Sequence, residues 1–127
     1  MSALVLDAGA LVAVDRGDRA MVARLRVAQQ HNIDLRTSAI VVAQVWRDPD
    51  GRQARLARLL RAIDVRPIDE QMGRDAGLLL ARARTSDPID ATVVLVAANG
   101  DRILTSDRHD IKRLAIAAGK HISAIAC

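Results

Sequence analysis

Ala3-Leu4-Val5-Leu6-Asp7 is a run of four apolar residues closed by an acid, and Ala8-Gly9-Ala10-Leu11 after it already carries a helical pattern. An uninterrupted apolar run of this length, without polar alternation, predicts a strand buried on both faces, as in a parallel sheet. The arrangement returns late in the chain, where Arg102-Ile103-Leu104-Thr105-Ser106 leads into Asp107 and another helical pattern. Between them, Asp87-Pro88-Ile89-Asp90-Ala91 opens the apolar helix pattern of residues 92–98. Two of these acids follow strand patterns directly, and all three open helices. In a parallel α/β sheet such positions lie on the carboxyl edge, where ligand sites form. Three carboxylates gathered there repel one another unless a divalent cation joins them, so the pattern predicts a Mg²⁺ or Mn²⁺ site.

Outward from these stretches, strand patterns at residues 3–6, 34–36, 63–66, 102–104 and 121–125 alternate with helix patterns. The helices are expected at residues 8–14, 20–29, 39–47, 53–62, 69–84, 88–98 and 107–118. Thr37 or Ser38 caps the third helix, Asp87 caps the one that starts at Pro88, and Asn99-Gly100 and Gly119 are stops. Asp48-Pro49-Asp50-Gly51 reads as a turn. The alternation predicts one α/β domain over residues 1–127, a three-layer fold with a central, mainly parallel sheet of about five strands flanked by helices.

Composition narrows the function classes. Half of the 127 residues are hydrophobic, yet there is one Trp and no Phe or Tyr, so the core is aliphatic. Trp46 alone cannot form a base-stacking platform, which argues against an RNA-binding module built on exposed aromatics. The net charge is +4, carried by 17 Arg against two Lys, with Glu70 the only glutamate. Arginine suits bidentate phosphate contact, and GC-rich coding explains the same bias. The single cysteine, Cys127, excludes a disulfide framework within the chain and fits a reducing compartment. No basic leader with a long apolar stretch opens the sequence, and residues 93–98, the longest apolar run, are too few to span a membrane, so a cytoplasmic protein is expected.

Each acid also has a structural explanation. Asp7, Asp87 and Asp107 are good helix N-caps, worth about 1 kcal/mol each. Asp90 and Asp110 fall three residues after Asp87 and Asp107, where an acid favours the helix dipole. Capping accounts for each acid singly but not for Leu-Asp-Ala-Gly-Ala-Leu, Asp-Pro-Ile-Asp-Ala and Leu-Thr-Ser-Asp in one chain. With these words the sequence resembles the PIN-domain nucleases, and within them the VapC toxins of bacterial toxin–antitoxin pairs, over essentially its whole length. Asp7, Asp90 and Asp107 match the family's first, third and fourth acids. The resemblance implies a PIN-like fold, a metal-dependent endoribonuclease using Mg²⁺ or Mn²⁺, an RNA substrate, a cognate antitoxin and a homodimer. It implies Asp7, Asp90 and Asp107 as metal ligands, with Asp7 and Asp90 the best candidates for direct ligation, Ser106 orienting a water, and Asp110 as a weaker candidate.

The resemblance departs at one position. Family members carry a glutamate in the helix after the second strand, and here that place in Ser38-Ala39-Ile40-Val41-Val42-Ala43-Gln44-Val45 is Gln44. Gln44 follows Ile40 and Val41 at helical spacing on an expected buried stripe, so its amide needs a partner, either backbone or the acidic pocket. A neutral amide there predicts weaker metal binding and slower turnover, and keeps open a silent domain that only binds antitoxin or RNA. Arg47, Arg52, Arg55 and Arg58 either steer RNA phosphates or form a solvated helix face. Met21, Val22 and Leu25 either bind partners or pack in the core, and His109 and His121 are expected on the surface because hard cations prefer oxygen. Two other phosphate chemistries fit badly. A haloacid-dehalogenase-like enzyme wants a second Asp where Gly9 stands, and a receiver domain wants a strand-end Lys that neither Lys112 nor Lys120 supplies.

Overall fold

The computed structural model describes residues 2–48 and 50–127, and Pro49 of the expected turn at residues 48–51 lies outside them. The elements run β1 (Ala3–Leu6), α1 (Ala8–Asp15), α2 (Arg19–Gln30), β2 (Asp34–Ser38), α3 (Ala39–Val45), α4 (Ala54–Ala62), β3 (Asp64–Arg66), α5 (Glu70–Ala83), α6 (Pro88–Val96), β4 (Arg102–Thr105), α7 (Arg108–Ala117) and β5 (Ser123–Ala126). The five strands form one sheet in the order β3-β2-β1-β4-β5. Every pairing is parallel, with Leu4 opposite Leu35 on one side and Arg102 on the other. Helix α1 packs against α2, α3 and α4, while α5, α6 and α7 pack on one another, so two helix groups flank the sheet. The expected α/β architecture is the observed one.

Strand β1 is central because it is apolar throughout: all four of its residues are buried, Val5 and Leu6 completely. Leu11, Leu56, Ile103, Leu104, Ile111 and Leu114 are equally inaccessible, giving an aliphatic core from both helix groups and the middle strands. Side-chain oxygens of Asp7, Asp18, Ser38, Asp69, Asp87 and Asp107 accept first-turn N–H groups, capping six of the helices. Asp18 was not anticipated, and Asp69 caps α5 from outside it. Helix α3 stops at Val45, two residues short of the expectation, because Trp46 is extended and the Arg47 N–H donates to Gln53 Oε1 at 2.7 Å. Helix α6 stops at Val96, where the Lys120 ammonium donates to the carbonyls of Val94, Leu95 and Ala97. No helix among the described residues is long and apolar enough to cross a membrane.

At the amino edge of the sheet, Asp101 is buried and ties three segments together. Its Oδ1 accepts from Ala3 N and its Oδ2 from Ala98 N, both at 2.7 Å, and Arg36 Nη1 lies 3.6 Å from Oδ2. Arg36 also bonds Asp64 at 3.0 Å and the Val96 carbonyl at 2.9 Å, linking β2, β3 and the end of α6. Removing the carboxylate leaves the buried Ala3 N–H and the Ala98 N–H without their acceptor and takes one of three partners from the largely buried Arg36 guanidinium. Asp101→Ala should therefore destabilise the fold by about 2–4 kcal/mol, read as a lower urea midpoint at unchanged slope.

Candidate functional site

Strands β1 and β4 are neighbours although 95 residues separate their closest ends in sequence, and the chain switches direction across the sheet between them. At such a switch point the connections leaving the two strands diverge and open a crevice at the carboxyl edge. Asp7 leaves β1 into it. Its backbone N–H donates to the Leu104 carbonyl at 3.0 Å, its Oδ1 accepts from Ala8 N at 2.7 Å, and its Oδ2 accepts from Thr105 Oγ1 at 2.7 Å. Thr105 is fully buried, and its Oγ1 accepts in turn from Asp107 N at 2.9 Å. One hydroxyl thus fixes the Asp7 carboxylate and the backbone of Asp107 together. Beneath them, Thr37 Oγ1 donates to the Leu6 carbonyl at 2.7 Å, and Ser38 Oγ lies 3.0 Å from Thr92 Oγ1.

Asp90 stands on the first turn of α6, and Asp107 caps α7 through a long 3.4 Å bond from Asp110 N. Carboxylate oxygens of Asp90, Asp107 and Asp110 all lie within 4.8 Å of one another. Asp90 is 7% exposed, and among the described residues no donor bonds its carboxylate. Nor do Asp7, Asp90, Asp107 or Asp110 join any ion pair among those residues, in a chain with 17 arginines. Burial, and then the charges of Asp87, Asp7, Asp107 and Asp110, push the Asp90 carboxyl up to about 7. The donor set is entirely hard oxygen, the kind that Mg²⁺ and Mn²⁺ select.

The three acids singled out in the sequence gather at one edge, and Asp110, given less weight there, stands closer to Asp90 and Asp107 than a capping role requires. Gln44 is a correction: it lies on an exposed face of α3 with Ile40, while Val41 and Val45 face the core. Arg55 and Arg58 line an apolar groove between α2 and α4 that none of these acids borders, and Arg47 donates to the Ala43 and Trp46 carbonyls. Met21 and Leu25 are buried, Val22 half-buried, and His109 and His121 exposed. Ser106 is exposed near Gly9, and the orienting hydroxyl is that of Thr105, which the sequence reading passed over. Its signal was a hydroxyl at the last position of a buried strand, two residues before a candidate ligand.

The architecture has close counterparts among solved structures. Over 98% of both chains, the protein superposes on a chain of VapBC2 from Rickettsia felis, solved bound to a DNA fragment from their promoter, with a TM-score of 0.70 and 14% identity. This is a VapC-like PIN fold. DNA-bound VapBC from Salmonella typhimurium gives a second match over 98% of both chains, with a TM-score of 0.68 and 18% identity. At these identities the PIN likeness lies in backbone course. No protein-family model and no curated protein sequence matches the chain.

The raised Asp90 carboxyl has a definite sign in stability. Between its ordinary value near 3.8 and about 7, the folded protein holds a proton that the unfolded chain has released. The metal-free fold therefore loses this contribution as pH rises through that window. Asp90→Asn should flatten this part of the stability–pH profile and stabilise the metal-free protein at pH 8 by about 1–3 kcal/mol, measured by urea unfolding in EDTA.

Proposed function

We propose that the protein is a metal-dependent endoribonuclease, the toxin component of a toxin–antitoxin pair, active in the cytoplasm and held by a cognate antitoxin. The observation that carries this reading is a set of unpaired carboxylates, one of them buried, at the switch point of a VapC-like PIN fold. Asp7, Asp90 and Asp107 are the proposed metal ligands. The neighbours are toxin–antitoxin complexes, which supports an antitoxin partner; a homodimer of the toxin belongs to the same proposal.

A Mg²⁺ or Mn²⁺ ion bound here supplies activation of a water and compensation of the negative charge that grows on a scissile phosphate. The chain's own residues do the rest. Thr105 holds the Asp7 carboxylate in one orientation and sets the start of α7, so two acids approach the crevice with little freedom left to lose. Burial and the neighbouring carboxylates push the Asp90 carboxyl up to about 7, so a cation beside it would favour its charged form. Hydrolysis joins the water oxygen to phosphorus and breaks the bond to the departing ribose oxygen. No side chain needs to become covalently attached. The positive surplus of arginine elsewhere on the chain favours approach of a polyanion.

Gln44 supports a second reading, a catalytically weakened or silent PIN domain that acts by binding antitoxin or RNA, because an amide contributes no charge to the site. Cleavage of total cellular RNA by the purified chain separates the two. With Mg²⁺ or Mn²⁺ the proposed nuclease yields fragments, EDTA abolishes them, and Asp7→Ala lowers the rate by about 100-fold or more. Gln44→Glu should raise the rate if that position faces the reacting phosphate. No cleavage by the folded, antitoxin-free chain would sink the enzymatic reading and leave the silent one.

A further inference from the structure

Six described residues hold a positive φ, and five of them are residues that tolerate it: Gly17, Gly51, Gly100, Gly119 and Asn32. The sixth is Arg84, with φ 56° and ψ 48° at the end of α5. In this left-handed region a Cβ crowds the following carbonyl, which is why glycine commonly closes a helix there. No other long side chain among the described residues is placed so. Glycine would make the same turn without that strain, so the fold alone gives no reason for an arginine.

The side chain does not hold the turn either. The Arg84 and Thr85 N–H groups both donate to the Leu80 carbonyl, and Arg113 Nη2 donates to the carbonyls of Ala83 at 2.7 Å and Arg84 at 3.2 Å. Those bonds engage only the backbone of the turn, which any residue there would keep. Arg84 is exposed, and its guanidinium joins no hydrogen bond or ion pair among the described residues. Its position gives that free group a use. Arg113 ties Arg84 to α7 one turn beyond Asp110, and Asp87, three residues after Arg84, caps the helix that carries Asp90. Arg84 is thus anchored between the two helices whose first turns present the acids. The charges acting on Asp90 are all carboxylates, so the guanidinium stands to the side of the crevice rather than in it.

We infer that Arg84 is a substrate-binding residue, its guanidinium taking a phosphate of the RNA strand beside the acidic crevice. This rests on the proposed ribonuclease reading and adds to it a residue that positions the strand. A crevice of carboxylates repels a polyanion, so the strand needs cationic support alongside the acids. The planar guanidinium can take two oxygens of one phosphate at once. A residue that continued α5 would aim its Cβ back toward the helix start, whereas the left-handed one is released from that direction. The contact carries no chemistry and no base preference; it sets where the strand lies.

The test is binding of a fluorescein-labelled single-stranded RNA of mixed sequence to the full chain in EDTA, read by anisotropy at several salt concentrations. Arg84→Gly should bind about tenfold more weakly, and its slope of log affinity against log salt should shrink by about 0.7, one phosphate contact on a single strand. Its urea midpoint should equal or exceed that of the unchanged chain, because the strain leaves with the side chain. Arg84→Lys, which restores the charge without the fork, should recover the slope and part of the affinity. Arg74→Ala removes an equal charge near the start of α5, roughly 15 Å away along the helix, and should leave binding within about twofold. A lowered urea midpoint for Arg84→Gly, or RNA affinity within twofold of the unchanged chain, overturns the inference and leaves the nuclease reading standing. If the unchanged chain binds no RNA in EDTA, the inference fails outright, and RNA cleavage in Mg²⁺ against EDTA decides the nuclease reading separately.

Discussion

The pairing of β1 with β4 is the constraint on which the rest of the molecule depends. It buries Leu4, Val5 and Leu6 against Ile103 and Leu104 in the middle of the sheet, and it brings together two strand ends far apart in the chain. The Asp7 N–H continues the ladder one residue beyond the strand by donating to the Leu104 carbonyl, and Thr105 answers through its hydroxyl to the Asp7 carboxylate. The last rung of the sheet and the first contact of the acidic site are therefore neighbours. Whatever loosens the central pair loosens the site, and no flexible loop stands between them.

The carboxyl edge works against the fold that builds it. Asp7, Asp90, Asp107 and Asp110 act on one another there, none joins an ion pair among the described residues, and the Asp90 residue is 7% exposed. Burying an anion among anions is unfavourable unless a proton or cation compensates. The opposite edge follows the reverse rule, since buried Asp101 there has two backbone donors and a guanidinium. With both edges in one chain, the neglect of the carboxyl edge cannot be put down to a shortage of arginine. It marks the edge as a place for something the chain does not contain.

Much of this was legible in the sequence because strong local signals agreed with the global fold. Short apolar runs closed by acids located β1 and β4, and Asp87-Pro88 fixed the start of α6 to the residue. What stayed hidden depended on distance in space. Residues 39–45 are apolar at six of seven positions, so periodicity could not say which face of α3 meets the core, and Gln44 was placed on the wrong one. Thr105 reads as an ordinary strand residue until its partner, 98 positions away, is known. Asp110 sits at a spacing that suits a helix start, and only the approach of α7 to α6 shows its carboxylate near those of Asp90 and Asp107. The Asp101 network was illegible for the same reason, an acid after Gly100 looking like part of a turn.

The central pairing also sets when the site comes into being. Asp7 precedes Asp107 by 100 residues, so a chain emerging from synthesis carries its first acid long before the strand that gives it a setting. No fragment lacking β4 and α7 contains more than a scattered set of solvated carboxylates. A cation that binds the gathered acids and not the scattered ones stabilises the completed fold alone. Cation binding at this edge would thus report that the final crossover of the sheet has docked.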